Sequence, residues 1–201
     1  MSRRFNKNQK KFIRNSLIEQ GKILFRQYGF QKTSIHEITK SVGIAQGTFY
    51  NFFDSKEELY FIILEHEEEK IKKQLTQIDM LKEHDPKEAI KQVLRDLIKT
   101  VETNPLIREL YFGNNMKNIL RKLPSETLDK HIQNDASALE PLIEMWKNEG
   151  IILKKSPEII AGILRSLFVL TLHQNEIGEA IYEETLDLFI ELIVDGIVME
   201  G

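Results

Sequence analysis

The sequence predicts an all-α protein: an N-terminal three-helix head containing a helix-turn-helix, on a larger helical body. Three observations carry this. Apolar residues recur at three- and four-residue spacing along the chain, and no stretch of the 201 residues alternates as a strand would. Between Ile35 and Asn51, two short helical segments flank Gly43, the outline of a helix-turn-helix. Charge divides unevenly: residues 1–60 hold 11 Lys+Arg against 5 Asp+Glu, and the remainder 17 against 26. A basic head of net +6 on an acidic body of net −9 points to a polyanion partner for the head alone. The expected domains are 1–55, binding DNA, and 56–201, binding an effector and a second copy.

Composition sets the outer limits. Hydrophobic residues make up 41% and charged residues 29%, enough for a real core. With no cysteine there is no disulfide, thiolate metal site or cysteine nucleophile. No apolar run approaches the roughly 18 residues that cross a membrane, and no apolar segment follows the basic N-terminus as in a secretory signal. The expectation is a cytoplasmic protein without a membrane partner.

The elements follow in order. Residues 1–9 read as a polar arm, with Arg3, Arg4 and Lys7 able to reach phosphate. Helix one is expected from Gln9 to Tyr28, with Ile13, Leu17, Leu24 and Phe25 on its inner stripe and Gly29 as its stop. Gly21 costs about 1 kcal/mol inside a helix, so a close crossing is expected there. Ser34 and Glu37 form a capping box that starts helix two, and Gly43 ends it. A helix from Ala45 to Asn51 follows, then Ser55 and Glu58 cap a long helix from Lys56 to Met80. Asp85 and Pro86 open the next helix, to Glu102; Asn104-Pro105 breaks it before a short one ending at Tyr111. Further helices are expected over Glu126–Asn148, Glu158–Gln174 and Glu179–Met199.

In the two short helices the apolar residues belong to the core. The polar remainder suits a duplex: glutamine reads adenine, a small residue admits the backbone, and hydroxyls bind phosphate. The run G-F-Q-K-T-S-I-H-E-I-T-K-S-V-G-I-A-Q-G-T-F-Y-N-F-F-D-S-K-E-E-L resembles the N-terminal signature of TetR-like bacterial transcription regulators. The resemblance covers about residues 9–60. It implies a recognition helix over Gln46–Asn51, phosphate contacts at Thr33, Tyr50 and Lys56, and base reading at Gln46 and Gly47, with His36 and Phe52 as further candidates. Phe52 reads first as a core aromatic. The candidate DNA contacts are thus Thr33, Ser34, His36, Gln46, Gly47, Thr48, Tyr50, Asn51 and Lys56. One departure is Ala45 where such proteins often carry serine, so the recognition helix lacks its cap.

The body offers two further features. The last two long helices are apolar nearly all round, which means burial on more than one side. The expected two-fold interface uses Ile160, Ile163, Leu167, Leu186, Phe189, Ile190 and Ile193, with Ala161, Gly162 and Ser166 allowing a close crossing. Dimerisation is also what the resemblance implies. The middle helices carry Tyr111, Phe112, Asn115, Met116, Trp146, Arg165 and Phe168, with His131, Met145 and His173 nearby, as candidates for an effector pocket. Each taken singly reads as core or surface; Arg165 on an apolar helix is expected to be buried with an acceptor. His66 before three glutamates lacks the two-histidine spacing of a zinc helix and reads as a solvated charge run. No cofactor or metal is expected, and nothing supports an enzyme. The expected partners are double-stranded operator DNA, a second copy of the chain and a small apolar or amphipathic effector. The competing reading is a sequence-indifferent nucleic-acid or membrane-surface binder using the basic head.

Overall fold

The computed structural model describes residues 5–76, 85–111, 119, 121–126, 139–152 and 155–198. Its named helices are α1 (Lys7–Lys32), α2 (Ile35–Val42), α3 (Gln46–Phe49), α4 (Lys56–Thr76), α5 (Pro86–Thr103), α6 (Pro105–Tyr111), α7 (Glu140–Asn148), α8 (Pro157–Thr171), α9 (Gln174–Ile177) and α10 (Tyr182–Ile197). The fold is all-α: among the described residues the β-structure is one isolated antiparallel bridge, Ile152 with Val198. No helix is long and apolar enough to cross a membrane among the described residues.

The chain divides into two compact units. The first joins Met1–Glu68 to Pro105–Leu128; the second joins Glu69–Asn104 to Asp129–Gly201. Compactness therefore does not split at residue 55, because the first turns of α4 and all of α6 pack with the head.

In the first unit, α1 opens earlier than Gln9. Asn6 and Gln9 form a capping box, the Gln9 N–H donating to Asn6 Oδ1 (2.9 Å) and the Asn6 N–H to Gln9 Oε1 (3.0 Å). Gly29 turns the helix sharply at φ 78° and drops Phe30 into the core. There Phe25, Phe30 and Tyr60 meet pairwise with ring centroids 5.1–5.9 Å apart. The Tyr60 hydroxyl donates to the Leu106 carbonyl (2.7 Å), which ties the first turn of α6 to α4. A Cβ on Gly21 would lie 3.1 Å from both Ile63 Cδ1 and Leu59 Cδ2, so the close crossing expected there is α4 over α1.

One reading of α4 is overturned. The run His66–Glu69 is not wholly solvated: Glu67 is buried, with Lys22 Nζ at 2.7 Å and Arg26 Nη2 at 3.4 Å. The buried stripe runs Tyr60, Ile63, Leu64, Glu67, so position 67 falls inward whatever residue fills it. His66 is exposed.

The second unit is built on one apolar cluster. It takes Ile90, Val93, Leu94 and Ile98 from α5, Leu142, Ile143 and Trp146 from α7, and the inner stripes of α8 and α10. Asp85 caps α5 ahead of Pro86, and Ser156 caps α8 ahead of Pro157. Lys87 pairs with Asp195 (3.0 Å) and Arg95 with Asp187 (2.8 Å), which pins α5 along α10. Of the helix expected over Glu126–Asn148, the part from Glu140 to Asn148 is α7, and residues 127–138 lie outside the described residues, as do Met80 and Met199. The last helix starts at Tyr182 rather than Glu179, because Gly178 at φ 108° separates it from the short α9.

Candidate nucleic-acid interface

The site is built on α2 and α3. Ser34 accepts from the Glu37 N–H (3.2 Å), and Glu37 returns to the Ser34 N–H (2.8 Å), which completes the expected capping box. The Ser34 hydroxyl donates to the same carboxylate, and this hydrogen bond is the main cause holding Glu37 below the usual carboxylate range. Gly43 takes the left-handed conformation (φ 76°, ψ 31°), its N–H bonding to Lys40 O, while the Ile44 N–H reaches Thr39 O. The turn to α3 is thereby fixed by backbone bonds alone.

Helix α3 is shorter than expected, Gln46–Phe49, and Ala45 supplies no cap. Packing holds it instead. Phe49 is fully buried against Phe53 (5.5 Å between centroids), and the Arg14 guanidinium lies over the Phe53 ring at 5.2 Å. Tyr50 stacks edge-on to Phe49 (5.5 Å, 84°), which orients an otherwise exposed phenol. The chain leaves α3 in a tight turn, with the Asn51, Phe52 and Phe53 N–H groups bonding back to Thr48 and Phe49.

This apolar pedestal presents a polar face. His36, Lys40, Gln46, Gly47, Tyr50 and Asn51 are exposed and Thr48 is half-buried. Phe52 is half-buried, as a supporting aromatic would be. Gly47 is informative. Its φ is not positive, and a Cβ there would meet nothing within 4 Å. Neither backbone strain nor internal packing calls for glycine at 47, so the small residue leaves room on the outside.

Two expected phosphate ligands are engaged inside the protein. Thr33 is 2% exposed, and its hydroxyl donates to Gly29 O (2.8 Å) and Leu24 O (3.3 Å). Lys56 turns its ammonium inward, donating to Phe30 O (2.7 Å) and Thr33 O (2.8 Å) while lying 4.2 Å from the Phe30 ring centroid. Burial lowers its pKa. Lys56 therefore clasps the α1–α2 connection to the start of α4. The Ser55 cap forms by half: Ser55 accepts from the Glu58 N–H (3.0 Å), but the Glu58 carboxylate reaches the Asp54 N–H instead.

The body's candidates sort by helix face. In α8 the core stripe is Ile160, Ala161, Leu164, Leu167 and Thr171; in α10 it is Tyr182, Ile190, Val194 and Ile197. Ile160, Leu167 and Ile190 are thus spent within the chain rather than free to meet a second copy, and Ile163, Leu186 and Ile193 are half-buried. Phe189 of the interface set expected from the sequence is exposed, and so are Ile159 (59%), Val169, Ile181, Leu188 (55%) and Leu192 (62%), which that set does not include. Periodicity does not separate the two faces of a helix that is apolar on both. Arg165 is exposed, one step round α8 from the buried Leu164, and not in the core as expected. Trp146 is buried, Phe168 half-buried and His173 exposed beside Glu176 (3.6 Å). Phe112, Asn115, Met116 and His131 lie outside the described residues, as do Arg3, Arg4 and the side chain of Tyr111. Among the described residues no cluster of His, Asp or Glu is placed to hold a metal ion.

Comparison with known proteins bears on the head sequence and the fold. Residues 17–61 match the family model described as "Bacterial regulatory proteins, tetR family". The curated Nucleoid occlusion factor SlmA of Haemophilus ducreyi is 24% identical over 92 residues, 46% of this chain and 45% of that protein, so the match spans less than half the length of that relative. Two solved structures cover almost the whole chain. A TetR-family transcriptional regulator from Pectobacterium atrosepticum superposes with a TM-score of 0.73 at 16% identity, over 98% of this chain and 100% of its own. A putative TetR-family regulator from Mesorhizobium loti MAFF303099 gives 0.68 at 19%, over 95% and 99%. Both structures are described as transcriptional regulators.

Proposed function

We propose, for a chain that is a TetR-like regulator in its head sequence and its fold, that it is a cytoplasmic repressor. It reads operator DNA as a homodimer and leaves it when the second unit takes up a small apolar or amphipathic effector. The observation that carries the DNA reading is the exposed face of Gln46, Gly47, Tyr50 and Asn51 on a buried aromatic pedestal. In that role Gln46 reads a base edge, Gly47 admits the duplex backbone, and Tyr50, Asn51, Thr48 and Ser34 bind phosphate or flanking groups. Thr33 and Lys56 act from within, by holding the connection between α1 and α2.

The dimer is supported by the uncovered apolar faces of α8 and α10. A Cβ on Gly162 or Gly196 would meet nothing within 4 Å, so these small residues leave room for a helix of a second copy. Release follows from linkage: an effector that favours one spacing of the two heads weakens operator binding by the factor that the operator weakens effector binding.

The test is anisotropy titration against a duplex recovered by selection from a random-sequence pool. Gln46→Ala is expected to lower affinity for that duplex about tenfold, the loss of one good base contact. Affinity for a scrambled duplex is expected to be unchanged. Equal affinity of the unmodified protein for the two duplexes would end the reading as a sequence-specific regulator.

A further inference from the structure

Among the described residues, buried polar side chains are matched to partners with one exception. Thr33 and Thr39 donate to helix carbonyls, Thr171 to Phe168 O (2.8 Å), Tyr60 to Leu106 O (2.7 Å) and Tyr182 to Glu102 Oε1 (2.8 Å). Among the described residues one buried side-chain atom breaks the rule: the indole Nε1–H of Trp146 has no acceptor. Trp146 is 1% exposed and belongs to the aliphatic cluster of the second unit, with Leu142, Ile143 and Ile160. Leaving a buried neutral donor unpaired forfeits the hydrogen bond it made to water in the unfolded chain. A phenylalanine would supply an aromatic ring here without that cost, so the indole holds a donor that the folded chain itself does not use.

We infer that the Trp146 N–H is the hydrogen-bond donor of the effector site, and that its ligand is a neutral, mostly apolar molecule with one acceptor oxygen, such as a ketone, ester or ether. The inference rests on the effector reading above. Its chemistry follows from the surroundings. The other buried side chains of its cluster are aliphatic, which selects an apolar body. A carboxylate would lose far more on desolvation than one neutral donor returns, and Arg165, the one cation of α8, lies on that helix's exposed side. A plain hydrocarbon would leave the donor unpaired. A neutral acceptor oxygen makes a hydrogen bond and removes the penalty together.

Trp146 is the only tryptophan, so isotope-labelled tryptophan gives a single indole N–H resonance in the intact protein. The probes are acetophenone and α-methylstyrene, which share an outline and differ by a carbonyl oxygen against a methylene carbon. Acetophenone is expected to move the resonance downfield and to bind about five- to tenfold more tightly than α-methylstyrene, the difference one hydrogen bond makes. Trp146→Phe is expected to reduce acetophenone affinity to that of α-methylstyrene while leaving the thermal midpoint no lower. Equal affinities for the pair, a resonance unmoved while either binds, or binding of neither probe overturns the assignment. Repeating the titration with the selected duplex separates the two claims. Acetophenone that moves the resonance but leaves DNA bound removes the effector reading and keeps the donor assignment. Release of DNA with an unmoved resonance removes the donor assignment and keeps the effector reading.

Discussion

The two units solve opposite problems. In the first, polar groups turned inward are used up: Thr33, Lys56, Glu67 and Tyr60 bond to carbonyls or counter-ions, and the face built on α2 and α3 is polar. In the second, α8 and α10 are apolar on their outer faces as well as their inner ones, with Leu188, Leu192 and Ile159 standing more than half exposed. The first unit satisfies itself and shows chemistry to a partner of stated kind. The second leaves its energy unfinished, and burying those faces against another copy is worth roughly 25 cal/mol per Å². On the proposed function, recognition falls to the polar face of α2 and α3 and assembly to the apolar faces of α8 and α10.

The contrast is most easily broken at the assembly face. Leu188→Glu with Leu192→Glu is expected to halve the mass read by light scattering and to weaken binding to a two-half-site duplex about a thousandfold, the loss of bivalency. A dimer mass that survives would place the interface elsewhere. Next is the buried pair of the first unit. Glu67→Ala strips Lys22 and Arg26 of their counter-ion and is expected to lower stability by about 3 kcal/mol in denaturant titration; a loss below about 1 kcal/mol would class it with surface pairs. Lys56→Met is expected to lower stability by about 2 kcal/mol, since charge-assisted bonds to Phe30 O and Thr33 O go. The slope of log affinity against log salt is expected to stay the same; a slope smaller by about 0.9 would make Lys56 a phosphate ligand after all. Ala45→Ser has the smallest expected effect. The backbone at 45 is already extended (φ −69°, ψ 144°) and its side chain bonds nothing, so a serine cap is expected to add about 1 kcal/mol, read as a raised melting temperature.

Local grammar in the sequence served the head well. Ser34 with Glu37, Gly43, and the apolar set around Phe49 depend on residues three or four positions apart, and each is realised. What escaped was long-range. Nothing near Lys56 announces that its ammonium ends on carbonyls 23 and 26 residues away. Glu67 looked solvated because its neighbours are acidic, while its partner Lys22 lies 45 residues earlier. In α8 and α10 the failure was of another kind: with Ile159 beside Ile160 and Phe189 beside Ile190, hydrophobicity alone gives no phase, and only the packed chain tells core from surface. Arg165 was misplaced by the same ambiguity, one residue round from Leu164.

The interleaving of the two units bears on how the protein is made. The first unit needs residues 105–128, and the second needs the stretch from 69 to 104 that precedes them as well as everything after 128. On a ribosome, a head released at residue 68 would lack α6 and leave the Tyr60 hydroxyl without the Leu106 carbonyl. Nascent chains therefore cannot finish the first unit until more than half of the protein has been synthesised. In an incomplete translation product that stops before residue 105, the threading of the chain leaves that unit unfinished.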